Sequence, residues 1–291
     1  MDVNSHKPKV FIVVLNHNGG ELLENCLKSL EKVTYQNFSV VVADNASKDG
    51  SLEMVRQNFP KAVIIENGKN IGFAAGNNIG IQYALARSAD YVLLLNQDTE
   101  VEIDFLDKLI EAAERNPQVG ILSPLIFWKK TEKIWFSGGK INWLTMKAVN
   151  KNSLCCDAPY ETGFITGCSM LIRKEVFDEI GFLSEKYFLY WEDADFSYQA
   201  KKADFLNLVV PESRVYHFEK SGLASGKKLY WLVLSGLIFF KRNANFPMNV
   251  WIFFYTKLRI AKNILDRLVY SKDNNKLEVG KAYEDFKNGK Y

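Results

Sequence analysis

The run Tyr91-Val92-Leu93-Leu94-Leu95 passes without a break into Asn96-Gln97-Asp98-Thr99. Consecutive apolar residues with no alternation describe a strand covered on both faces, and a central one if the sheet is parallel. Open α/β sheets bind their ligands in the crevice beyond the carboxyl ends of such strands. Asp98, two residues after Asn96, offers a hard oxygen to a divalent cation there, and such cations commonly hold diphosphates. A second acidic cluster, Trp191-Glu192-Asp193-Ala194-Asp195, follows later in the chain and is able to supply a base. Cation, diphosphate and base together point to transfer of a group from an activated nucleotide.

The pattern around that strand supports a sheet of this kind. Residues 10–15, 38–43, 62–65, 91–95 and 119–123 read as strands, and 21–32, 51–59, 74–88 and 104–115 as helices. This alternation predicts βαβ units, with right-handed crossovers setting every strand's carboxyl end on one rim. Beyond Pro124 the pattern is irregular. The aromatic stretch 128–143, with Gly138-Gly139, reads as a loop or hairpin over the rim. Residues 163–172 read as a strand, 174–180 and 193–202 as helices, and 205–210 as a strand ended by Pro211. Helices are expected over 227–242, 248–270 and 276–287. The expected division is a body over 1–222 and a helical extension over 223–291.

Charge divides along the same line. Residues 1–215 carry 23 Lys and Arg against 28 Asp and Glu, whereas residues 216–291 carry 14 against 6, net +8. The basic tail interleaves Trp231, Phe239, Phe240, Trp251, Phe253, Phe254 and Tyr255 with its cations, which fits a membrane interface over 227–270. The same aromatics also fit packing on the body or a homodimer; nucleic acid is not an expected partner. No apolar run reaches the roughly 18–20 residues that cross a bilayer, and Met1 to Lys9 lacks the apolar core of a signal peptide. The expected location is cytoplasmic, with peripheral contact at the inner face of the cell membrane. Cys26, Cys155, Cys156 and Cys168 lack zinc-site spacing and imply reduced thiols.

Individual residues carry both functional and structural readings. Asp44 leaves its strand at the ligand rim, while Ser47 and Asp49 after it suit the cap of the next helix. Asn70-Ile71-Gly72-Phe73-Ala74-Ala75-Gly76-Asn77-Asn78 opens a helix with small residues, which suits either an anion or close helix-on-sheet packing. Its spacing matches neither the dinucleotide fingerprint nor the P-loop. Asp193 or Glu192, beside aromatics, is a candidate base whose desolvation raises proton affinity; Asp195 suits a helix cap. His217, at a strand exit, suits a metal, a diphosphate or a structural role.

Taken together these segments resemble glycosyltransferase family 2, the inverting enzymes with the GT-A fold. The resemblance spans Val10 to Ser221. It rests on Val14-Leu15-Asn16-His17-Asn18, on Asp44-Asn45-Ala46-Ser47 with Asp49-Gly50-Ser51, and on Asn70 to Asn78. It continues through Leu95-Asn96-Gln97-Asp98, Thr166 to Arg173, and Phe188 to Phe196 with Glu192-Asp193. The closest flavour is the bacterial rhamnosyltransferase-like branch, whose metal motif reads Asn-x-Asp. The resemblance implies a mainly parallel, Rossmann-like sheet flanked by helices. It implies a donor nucleotide-sugar, dTDP- or UDP-linked, contacted by Asp44 and the Asn16 region, with Asn70, Gly72, Asn77 and Asn96 as further candidates. It also implies Mg²⁺ or Mn²⁺ held by Asp98 and near His217, Asp193 as catalytic base, and a glycan or lipid-linked acceptor. Asn96 in place of an acid, Gln97 in place of Pro and Gly181-Phe182-Leu183-Ser184 depart from the pattern. A nucleotidyltransferase and a non-catalytic nucleotide-sugar binder are the rival classes.

Overall fold

The computed structural model describes residues 7–129, 131–218, 226–269 and 273–291. The expected boundary at residue 222, the resemblance's last residues and Tyr270 lie outside the described residues. The first half contains β1 (Val10–Asn16), α1 (Gly20–Leu30), β2 (Phe38–Asp44), α2 (Ser51–Asn58), β3 (Val63–Glu66), α3 (Phe73–Leu85), β4 (Tyr91–Asn96), β5 (Thr99–Val101), α4 (Phe105–Glu114) and β6 (Val119–Trp128). It continues with β7 (Ile134–Phe136), β8 (Gly139–Asn142), β9 (Lys147–Asn150), β10 (Tyr160–Glu161), β11 (Ser169–Arg173), α5 (Lys174–Ile180), α6 (Glu192–Lys202) and β12 (Leu206–His217). Helices α7 (Lys227–Asn243), α8 (Met248–Val269) and α9 (Asn274–Lys287) close the described chain.

The main sheet runs β10-β12-β6-β11-β4-β1-β2-β3, and β4 is central as its apolar run requires. Residues alternate between two cores, as a period of two dictates. Val10, Ile12 and Val14 meet Leu23, Cys26, Leu27 and Leu30 of α1 on one face. Phe11 and Val13 meet Ala74, Ile81 and Ala84 of α3 on the other. Helix α3 lies close enough that a Cβ on Gly80 would sit 2.4 Å from Val13 Cγ1 and one on Gly76 2.5 Å from Leu15 Cδ1. Small residues there are thus required by packing on the sheet.

One expectation is corrected, on Pro211, and three strands show features on which the sequence pattern is silent. β11 runs antiparallel to both β4 and β6, so its amino end, not its carboxyl end, arrives at the ligand rim. β12 does not stop at Pro211. Its pairing with β6 shifts between Val210 and Arg214, which leaves the residue lacking an N–H out of the ladder, and then resumes to His217. The short strands β5 and β10 have no hydrophobic pattern of their own and are set by pairing with β12.

The extension is not a uniform basic surface. α7 is core: Leu234, Leu237, Phe239 and Phe240 are buried, and the Trp191 ring lies 4.9 Å from Phe239. Burial of each such side chain contributes about 1.5–3 kcal/mol over exposure. α8 is the opposite, with Ile252 and Asn263 as its only buried residues. Among the described residues no helix is long and apolar enough to cross a membrane. All four cysteines are free.

Candidate active site

The carboxyl ends of β1, β2 and β4 open into a cleft of about 270 Å³ whose lining includes His17, Asn45, Asn70, Gly72, Asn96 and Asp98. Asn70, Gly72, Asn96 and Asp98 lie together on its wall. Asn70 Oδ1 accepts from Gly72 N at 3.0 Å, and Asn45 Nδ2 donates to Gly72 O at 3.0 Å, so two amides shape the loop into α3. Gly72 is required there. Its φ is +90° and a Cβ would meet Phe188 O at 2.5 Å. Gln97 clasps the end of β1, its Oε1 accepting from His17 N at 2.9 Å.

Asn16, Asp44 and Asn77 are enclosed beside this cleft and are not part of its lining. Asp44 is 1% exposed; its oxygens accept from Asn16 Nδ2 at 2.7 Å and from Ser47 N at 2.9 Å, with Ser47 Oγ at 2.5 Å. Asn16 is enclosed and also donates to Ser51 Oγ. Asn77 donates back to Phe73 O inside α3. An Asp followed three residues later by Ser builds a local turn, and here that chemistry uses the carboxylate itself.

Asp98 stands at the far side of the cleft. The antiparallel β5–β12 pairing sets His217 opposite Thr99, which brings His217 Nε2 to 3.3 Å from Asp98 Oδ1. The two are in contact but not aligned as a hydrogen bond. Asp98 Oδ1 and His217 Nδ1 are both buried without a hydrogen-bond partner. A buried carboxylate oxygen left unsatisfied costs about 1–3 kcal/mol or more unless a cation meets it. The pair therefore fits a hard divalent ion. No group of three or more His, Cys, Asp or Glu able to hold a metal occurs among the described residues, so an ion on this pair would take its further ligands from water or a diphosphate.

A second cleft, about 500 Å³, adjoins the first and includes Trp135, Thr166, Tyr190, Asp193, Asn150 and Leu232 in its lining. The segment Phe188 to Trp191 forms the partition: Phe188 and Leu189 face the first cleft, Tyr190 and Trp191 the second. Tyr190 and Trp191 both have positive φ, 68° and 71°, which costs roughly 1–3 kcal/mol each and is held in place by the packing of Trp191 on α7. The reversed β11 brings Gly167 to the partition, where Gly167 N donates to Asp193 Oδ2 at 2.9 Å. A Cβ on Gly167 would sit 2.9 Å from Phe73 Cε1 and 3.6 Å from Asp193 Cβ, so the two clefts are separated by little more than this residue. The Trp135 ring, 4.4 Å from that of His217, links them on the other side.

Burial lifts the Asp193 carboxyl above the usual carboxylate range, and the N–H groups of Gly167 and Ala194 pull it partly back. Glu192 is 4% exposed, and burial, then the Asp193 charge, push its carboxyl well up. Of the two, it is Asp193 that lines the cleft. Asp195 is not a helix cap. It accepts from Asn243 Nδ2 at 2.8 Å and Arg242 Nη1 at 3.1 Å, joining α6 to α7. Acidic residues at 44, 98 and 193 therefore do not share one pocket: one is enclosed and the other two face adjoining clefts. His17, Asn45, Gln97, Thr166 and Tyr190 were not singled out as site residues from the sequence, although all five lie inside the quoted motifs.

Residues 11–181 match the family model for glycosyl transferase family 2, and the chain belongs to that family. It is a glycosyltransferase of mixed α/β, GT-A-like architecture. It is 28% identical over 244 residues to N-acetylglucosaminyl-diphospho-decaprenol L-rhamnosyltransferase of Mycobacterium tuberculosis, covering 71% of this chain and 75% of the relative. It is 23% identical over 215 residues to the dTDP-rhamnosyl transferase RfbF of Shigella flexneri, covering 72% and 68%. The structure of the mannosyltransferase PcManGT from Pyrobaculum calidifontis, in complex with GDP-Man and Mn²⁺, superposes with a TM-score of 0.61 at 14% identity. That match covers 99% of this chain and 89% of the other.

Proposed function

We propose that the chain transfers rhamnose from dTDP-rhamnose to a hydroxyl of a lipid-linked glycan, with inversion at the anomeric carbon. The observation that carries the reading is the pair of adjoining clefts, with Asp98 on one, Asp193 on the other and only Gly167 and the Phe188–Trp191 segment between them. The donor occupies the first cleft, with its nucleotide toward Asn45 and Asn70 and its diphosphate toward Asp98. The acceptor enters the second, against Trp135 and Tyr190. Asp193 takes the acceptor hydroxyl's proton as that oxygen bonds to the anomeric carbon; the bond to the diphosphate breaks and its electron pair leaves with the nucleoside diphosphate. Asp98 and His217 hold Mg²⁺ or Mn²⁺, which when bound neutralises charge on the leaving diphosphate. Asp44 and Asn16 shape the turn beneath the nucleotide. The names of the mycobacterial and Shigella relatives support the sugar, and the former also supports the lipid-linked acceptor. Work at the cytoplasmic face of the membrane follows from such an acceptor.

The test is a transfer assay offering dTDP-rhamnose beside UDP- and GDP-sugars to a prenyl-diphosphate-linked amino sugar, with Mn²⁺ or with EDTA. Preference for dTDP-rhamnose and loss of product in EDTA are expected. Equal turnover in EDTA, or a clear preference for a UDP-hexose, would overturn the metal or the donor assignment respectively.

A further inference from the structure

Helix α8 is amphipathic in the wrong sense for a globular protein. Phe253, Phe254, Leu258, Ile264, Leu265 and Leu268 are all more than half exposed. At 3.6 residues per turn, these residues with Val250, Trp251 and Val269 fall within one arc of about 160°. The helix is about 33 Å long. The opposite face, with Ile252 and Asn263, packs inward. The cations keep the same geometry. Lys257 lies within the outward arc, Lys262 beside it, and the helix's single acid, Asp266, is turned away and paired to Lys276 at 2.8 Å.

The surroundings extend this pattern. Phe246, 81% exposed, precedes the helix. An apolar groove of about 330 Å³ between α7, α8 and α9 has Lys241, Lys257 and Lys287 in its lining, none of them ion-paired among the described residues. Trp251 Nε1 donates to Leu144 O at 3.0 Å, fastening α8 to the tip of the β8–β9 hairpin, where Leu144 is itself 60% exposed. Ala148, Val149 and Asn150 of that same hairpin form a wall of the Asp193 cleft.

We infer that α8 is an interfacial helix that docks the protein on an anionic lipid bilayer, with the mouth of the acceptor cleft held next to the membrane surface. An apolar face bordered by lysines has the chemistry of the headgroup boundary: side chains enter the acyl region while the cations meet lipid phosphates. A second copy of this chain is a poorer occupant, because a two-fold pairing of α8 would bring Lys257 and Lys262 toward their own copies with no acid on the outward arc. α7, equally aromatic in sequence, takes no part in this surface because it is enclosed. The inference rests on the proposed lipid-linked acceptor only for its purpose; the surface itself is independent of the donor.

The experiment is vesicle sedimentation of the full chain without donor or acceptor, so its outcome is separate from that of the transfer assay. Vesicles are pure phosphatidylcholine or an equal mixture with phosphatidylglycerol. Binding to the mixed vesicles at low salt, weakening as salt is raised, is expected. Phe254→Glu with Leu265→Glu should lower vesicle affinity by at least roughly tenfold, since two buried apolar side chains are lost. Lys257→Glu with Lys262→Glu should abolish the preference for anionic lipid. Both pairs are exposed, so melting temperature and transfer to a short, water-soluble acceptor should stay unchanged. Absence of binding at low salt, undiminished binding by the Glu variants, or a wild-type dimer that the Phe254 and Leu265 changes dissociate would each overturn the inference.

Discussion

Asp193→Asn tests the assignment of the base with little change in shape. The carboxylate accepts from two backbone N–H groups, of Gly167 at 2.9 Å and of Ala194 at 2.7 Å. An amide keeps one of these bonds and turns an N–H toward the other, at a cost of about 1–3 kcal/mol. Against this, the substitution removes a charge that burial disfavours, as the raised carboxyl shows. The net stability change should therefore stay within about 2 kcal/mol, or less than roughly 8 °C in melting temperature. Turnover behaves differently. Loss of a general base costs roughly 10²–10⁴ in rate, or about 3–5 kcal/mol of barrier. The wild-type rate should rise with pH through a carboxyl value above the ordinary range, because the base works ionised, and the variant should lose that limb. Donor affinity, read by calorimetry with Mn²⁺, should be unchanged, since Asp193 faces the second cleft. A variant that retained more than a tenth of wild-type turnover, or the wild-type acidic limb, would refute the reasoning.

If the proposed ion sits on Asp98, Asp98→Ala should remove the Mn²⁺-dependent thermal shift given by dTDP-rhamnose and lower transfer at least about 100-fold, because ligand stabilisation follows mass action. Gly72→Ala should lose roughly 1–3 kcal/mol from positive-φ strain alone, with Phe188 O in the way of the new methyl, and should weaken donor binding; an unaltered melting curve would contradict the close approach. Glu192 binds its proton more tightly folded than unfolded, so stability should fall as pH rises from the ordinary glutamate value of about 4.3 through its raised value. Glu192→Gln should flatten that fall, and a wild-type slope in urea titrations across pH would exclude it. Arg242→Ala should cost about 2 kcal/mol, less than a fully buried pair because Arg242 is 42% exposed, and is checked by the same titration.

The order of elements and the ligand rim were legible because β4 is an unbroken apolar run and α1 carries a helical periodicity, and the burial of Leu23, Cys26, Leu27 and Leu30 follows that spacing. The direction of β11 was not, since an apolar run reads the same from either end. Pro211 was taken as a stop because its missing N–H breaks a ladder; a register shift in β12 accommodates it instead. In the site, Asp98 and the Asn70-to-Gly72 loop could be placed from strand ends and turn residues alone. Asp44 could not, because a carboxylate beside Ser47 suits a ligand and a turn equally well, and the deciding partner, Asn16, comes from another strand. The roles of α7 and α8 were likewise indistinguishable by composition. Within α7, Ser235 Oγ donates to Leu189 O at 2.9 Å and Gly236 leaves room for the Trp191 indole, contacts that composition does not reveal.

The bonds from Asn243 and Arg242 to Asp195 also have a temporal meaning. Asn243 follows Asp195 by 48 residues, and Gln199 bonds Asn243 as well. During synthesis the helix that carries Asp193 thus waits, with Asp195 bonded only within its own helix by Gln199 and the Trp191 indole uncovered, until α7 has left the ribosome. A chain interrupted before residue 243 retains every quoted motif and lacks the Asn243 bond that joins α6 to α7.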